Sequence, residues 1–218
     1  MGSLNKKPLV LSYCGYLNQS EFAERYLFIQ RRIAHAMTRE ELAFLLGRVP
    51  YLIIDYEELS AIKFDITDLD LMGLVLKGRQ QQVLSFDKKD GVYDISHEKR
   101  MVRVVKSEYP ENIVYEFYHH WKIGGHHKPL KIVEPFIRAD DFETEAINLI
   151  TAELTKLMGL GYFAIRRSPL EIRDHIWATY RFKSNTWSIV FLKNIIYEWI
   201  RDGLLSVAND KGRFSYRQ

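Results

Sequence analysis

At 218 residues and 47% hydrophobic content the chain has enough apolar surface for real cores. Its charged residues, 27% and mixed in sign without a low-complexity tract, exclude a long disordered region. The single cysteine, Cys14, excludes an internal disulfide, and no apolar run approaches the roughly 18 residues of a membrane helix.

Leu9 to Tyr13 is too short for a secretory h-region, so a cytoplasmic protein with no membrane partner is expected. Net charge is +3, a poor argument for nucleic acid by itself. Its distribution is uneven: residues 1–78 carry nine Lys/Arg against ten Asp/Glu, and residues 146–218 carry eleven against six. The basic excess therefore belongs to the C-terminal third.

In chain order, apolar positions from Phe22 to Ala36 predict a helix over 21–36, with Ser20 available as its N-cap. Thr38 and Glu41 have capping-box spacing and open a short second helix that ends at Gly47. Pro50 suits the first turn of a third helix over 50–58. A fourth is predicted over 65–76, with Asp65 or Thr67 near its cap. From Gln82 the period becomes that of strands, in 83–86, 92–95, 101–105, 113–121 and 130–136, separated by turn signals, which reads as an antiparallel meander. Helical periodicity returns over 142–158, then 169–180 and 186–202. The residues from Gly203 to Arg217 read as a two-stranded hairpin turning at Asn209 to Gly212.

The stretch Arg31-Arg32-Ile33-Ala34-His35-Ala36-Met37-Thr38-Arg39-Glu40-Glu41-Leu42-Ala43-Phe44-Leu45-Leu46-Gly47, followed by the third helix with Glu57, carries a motif. Ala43 permits close helix approach, Gly47 permits a turn, and Leu42, Leu46, Ile53 and Tyr56 suit a shared core. Over about residues 22–77 the chain resembles the Cro/repressor-like, xenobiotic-response-element family of helix-turn-helix domains. The resemblance implies double-stranded DNA as partner, a role in transcription regulation, and a homodimer matched to two half-sites.

The third helix departs from that family's pattern. Where base-reading side chains would stand, the sequence has Arg48, Val49, Pro50, Tyr51, Ile54 and Asp55, which offer few hydrogen bonds to base edges. Arg31, Arg32 and Arg39 suit phosphate contacts, which position without specifying. Two readings stay open: DNA binding through few base contacts, with Arg48 and Tyr51 taking part, or a protein partner anchored on Tyr51 and Ile54.

The order helix, helix, Gly-Leu-Leu, hairpin from Pro169 onward looks like a winged helix, and a helical bundle with a solvated basic face is the equal alternative. In the first case Lys183, Asn185 and Lys193 would lie around the recognition helix, with Lys211 and Arg213 on the wing. His119-His120 and His126-His127 bracket Gly124-Gly125, where imidazoles could bind zinc. No cysteine or carboxylate completes a set nearby, so a polar hairpin tip without metal or cofactor is expected. No phosphate-cradling loop and no His-Glu-x-x-His spacing is present, and Cys14 lacks an activating context, so no enzyme is expected.

The expectation is an α+β protein. It comprises a helical helix-turn-helix domain over 1–78, an antiparallel β-rich domain over 79–139, and a helical domain over 140–218 that matches the winged-helix order. Its expected function is DNA-binding transcription regulation, with a non-enzymatic adaptor reusing the same fold as the rival.

Overall fold

The computed structural model describes residues 7–62, 64–76, 97–123, 126–136, 143–180 and 186–218, without the side chains of 143 and 186–188. It mixes helix and sheet, as the two periods in the sequence require. The expected strands over 83–86 and 92–95 lie outside the described residues. So do Lys183 and Asn185. The chain divides into two compact units, one of Met1–Ala34, Asp55–Lys63 and Gly78–Ile137, the other of His35–Ile54, Phe64–Lys77 and Arg138–Gln218.

The first unit sets helix α1 (Gln19–Ala34) with an antiparallel sheet of β1 (Leu9–Leu17), β2 (Arg100–Glu108), β3 (Asn112–Tyr118) and β4 (Leu130–Pro135), in that spatial order. Alternation decides the faces. Val102 and Val104 of β2, Ile113, Tyr115 and Phe117 of β3, and Ile132 of β4 are buried, while their neighbours in sequence are more exposed. Helix α1 contributes Phe22, Tyr26 and Ile29 to this core, with Phe22 and Tyr26 both edge-on to Phe117. Strands β2 to β4 form the expected meander.

Strand β1 was not foreseen. It pairs with β2 across a long stretch of sequence, Leu9 opposite Glu108 and Leu17 opposite Arg100. The cap of α1 is also corrected. Asn18 Oδ1, not a Ser20 oxygen, accepts from the Glu21 amide at 2.9 Å, and Glu21 Oε2 accepts from the Asn18 amide at 2.9 Å. This capping box sits two residues earlier than the periodicity indicated, because Asn18 has a carboxylate three residues on and Ser20 does not.

The second unit holds α2 (Arg39–Leu45), residues 51–54 of α3 (Tyr51–Glu57), α4 (Ile66–Val75), α5 (Glu143–Gly159), α6 (Pro169–Tyr180), α7 (Thr186–Arg201), and the hairpin of β5 (Ser206–Asp210) and β6 (Arg213–Arg217). Thr38 and Glu41 form the expected capping box, with contacts of 3.1 and 2.7 Å, and Asp65 with Asp68 forms a second at α4. Lys211 and Gly212 both have positive φ, the requirement of a tight two-residue hairpin turn. Arg167 and Tyr216 exchange backbone hydrogen bonds of 2.8 Å, so β6 has β5 on one side and Arg167 on the other.

Helix α2 packs on α6 and α7. The reason is apolarity on every side: Leu42, Ala43, Phe44, Leu45 and Leu46 are all buried, too many for one helical stripe. Ile172 and Ile176 of α6 and Ile189, Leu192 and Ile196 of α7 belong to the same unit's core, with Ile150 and Leu154 of α5. Among the described residues, no helix is long and apolar enough to cross a membrane.

Candidate functional site

The residues expected to contact DNA meet different fates, and charge neutralisation separates them. In the first unit Arg31 is exposed near the end of α1. Arg32 is its opposite, at 0% exposure. One side of its guanidinium donates to Glu57 at 2.6 and 3.2 Å, the other to Glu134 at 2.5 and 3.1 Å. Tyr115 donates to Glu134 at 2.6 Å and completes the network. Burial opposes the Arg32 charge, yet the two carboxylates outweigh it and hold the group above its ordinary value. The assignment of Arg32 to phosphate contact is therefore corrected: it faces inward because helical spacing puts it with Ile29, Arg25 and Phe22 on the core side of α1.

Arg25, on that same side, donates to the carbonyls of Tyr56 and Ser60, the latter at 2.9 Å, and lies 4.2 Å over the Tyr56 ring. Two arginines of α1 thus hold residues 56–60 in place. Glu57, the acidic residue of the helix-turn-helix resemblance, is the partner of Arg32.

In the second unit, Arg48 follows the positive-φ Gly47 and donates to Asp68 at 2.9 and 3.0 Å and to Asp65 at 2.7 Å. Arg213 of β6 reaches the same pair, 2.5 Å to Asp65 and 3.1 Å to Asp68. Two cations and two carboxylates form one closed cluster. The Asp68 amide, with Arg213 and Arg48, holds Asp65 below the usual carboxylate range. Hydrogen bonding to Asp68, then attraction to both aspartates, raises Arg48.

Lys193 of α7 is buried against Glu40 of α2 at 2.7 Å. Lys211 at the hairpin turn is exposed, and Arg39 is half-buried. Tyr51 is 66% exposed at the start of α3, next to exposed Val49, while Ile54 is half-buried. Sequence reasoning missed the countercharges Glu40, Asp65, Asp68 and Glu134. Only their abundance in the N-terminal and middle thirds signalled them.

The histidine segment is partly aromatic core. His119 lies 5.1 Å from the Phe22 ring and 6.2 Å from that of Trp121, its two nitrogens shut off from solvent. His120, His126 and His127 are exposed, and Gly124-Gly125 lie outside the described residues. Among the described residues, no group of three or more His, Cys, Asp or Glu is placed to hold a metal.

Burial pushes the His119 imidazole below its ordinary 6.5. Below about pH 6.5 the unfolded chain binds a proton there that the native state declines, so stability falls as pH drops and levels off below the folded value. Urea midpoints at neutral and mildly acidic pH should therefore differ less in His119→Leu than in the parent. An unchanged pH dependence would show that this imidazole titrates freely.

No protein-family model, curated protein or solved structure matches this chain.

Proposed function

We propose that this chain is a non-enzymatic adaptor that uses a helix-turn-helix scaffold to bind protein, in a reducing compartment such as the cytoplasm. The observation that carries the reading is charge neutralisation: Arg32, Arg48, Lys193 and Arg213, all expected at a DNA interface, are bound by carboxylates within their own units. A cation already paired at 3 Å or less has little left for counterion release. The second unit also leaves apolar groups in water. Tyr51 and Val49 of the α3 entry are exposed, and Ile66 and Leu69 of α4 stand beside Asp65 and Asp68, to which Arg48 is tied. Exposed aromatic and aliphatic side chains grouped around a neutralised cluster suit a protein partner.

Supporting the Cro/repressor resemblance are the capped α2, the positive-φ Gly47 and the helix α3 that follows. One observation favours DNA instead. Helix α5, the extended Arg167 paired to β6, helices α6 and α7, and the hairpin follow the order of a winged helix, with Lys211 and Arg217 exposed on the wing.

A salt titration on mixed genomic DNA fragments separates the two readings. The adaptor reading expects weak binding with a shallow salt slope, unchanged by Arg31→Ala/Arg39→Ala or Lys211→Ala/Arg217→Ala. Steep salt dependence that either pair flattens would overturn it in favour of a DNA-binding regulator.

A further inference from the structure

Sheets conceal their edges, and among the described residues this sheet ends in two unlike edges. Strand β4 carries Lys131, Glu134 and Pro135, the charges and proline that natural edges use against further pairing. Strand β1 reads Leu-Val-Leu-Ser-Tyr-Cys-Gly-Tyr-Leu: nine residues with no charge and no proline. Such a long uncharged rim is a template for another strand. On its outward face Val10, Ser12, Cys14 and Tyr16 are all exposed, Val10 at 55% and Tyr16 at 68%.

We propose that β1 pairs antiparallel with β1 of a second copy of this chain, across a two-fold axis at Tyr13. Matching the strand ends, Leu9 against the partner subunit's Leu17, fixes the register. Val10 then stands opposite the partner subunit's Tyr16, and Ser12 opposite the partner subunit's Cys14. The two-fold repeats both pairs. An aromatic residue facing a β-branched one is a favourable cross-strand pair, so the two large outward side chains of β1 cover each other. Charge selects the occupant. A charged peptide would find no countercharge along β1, whereas a second copy sets uncharged side chains against uncharged ones throughout. The contact is isologous, so it closes at two copies, hides both β1 edges and joins the two sheets into one.

The full-length chain should sediment as a concentration-dependent dimer. Wild-type Cys14 faces Ser12 and has no opposing thiol, so mild oxidation should link the wild type slowly. Ser12→Cys places a thiol opposite Cys14 twice and should link rapidly into covalent dimers. Val10→Cys faces Tyr16 and should not. Ser12→Lys/Cys14→Lys sets like charges opposite each other at two places and should weaken association about tenfold or more. Ser12→Lys/Cys14→Glu should restore it. Cys14 neighbours Arg103 on β2, so a melting curve accompanies each charged variant. Even where one of these fails to fold, the comparison of Ser12→Cys with Val10→Cys decides. Monomers at every concentration, or equal linking of those two variants, overturn the proposal.

Discussion

Arg32→Met is expected to lower stability by about 3–5 kcal/mol, the usual consequence of breaking a buried ion network from one side. Methionine nearly fills the volume and keeps the helix propensity, so packing and local structure contribute little. What remains is electrostatic. Glu57 is 3% exposed and loses both its bonds to Arg32, and Glu134 loses two of its own while keeping the Tyr115 hydroxyl. Each carboxylate must then stay charged without its partner or take up a proton, and both outcomes cost free energy. Urea midpoints at neutral pH with an unchanged slope would measure the loss. Adding Glu57→Leu should recover part of it, because one of the two carboxylates that lost Arg32 is then gone. A loss below about 1 kcal/mol would mean that water reaches the carboxylates, which would sink the account of Arg32 as a structural residue.

Much of the backbone was legible because its signals are local. The Thr38-Glu41 box, the breaks at Gly47 and Gly212, the meander strands β2 to β4 and the bounds of α6 all follow from residues within a few positions of one another. Strand β1 was not legible, although it alternates, because its partner strand lies some eighty residues later and a lone N-terminal run gives no hairpin signal. The site was legible in outline only. Arg32 looks like a solvent cation until Glu57 and Glu134 arrive from positions 25 and 102 residues away. Likewise, the basic excess of the C-terminal third was a count within a sequence window. The carboxylates that neutralise Lys193 and Arg213 are Glu40, Asp65 and Asp68, and these belong to the N-terminal third. Charge read along a chain is a weak guide to charge presented to a partner, since pairing is decided in space.

Gly47→Ala should cost about 2–4 kcal/mol, more than a turn glycine ordinarily would. Two terms combine. Gly47 has φ of +65°, a conformation that costs a residue with a β-carbon roughly 1–2 kcal/mol. A β-carbon there would also stand 2.8 Å from the Phe214 carbonyl oxygen and 3.3 Å from its nitrogen, and backbone atoms cannot swing aside as a side-chain tip can. The same contact carries a hydrogen bond, since the Phe214 amide donates to the Gly47 carbonyl at 2.6 Å. Relief of the clash therefore means moving β6 away from the α2 turn and losing that bond. Gly161→Ala isolates the first term, because Gly161 also has positive φ, +72°, and a β-carbon added there would meet nothing within 4 Å. It should cost only about 1 kcal/mol. Thermal unfolding of both variants, with amide exchange at Phe214, reads the difference. Equal losses would show that close approach to the hairpin contributes nothing. A larger loss at Gly47 with faster exchange at Phe214 would assign this glycine to the docking of the hairpin as well as to the turn between α2 and α3.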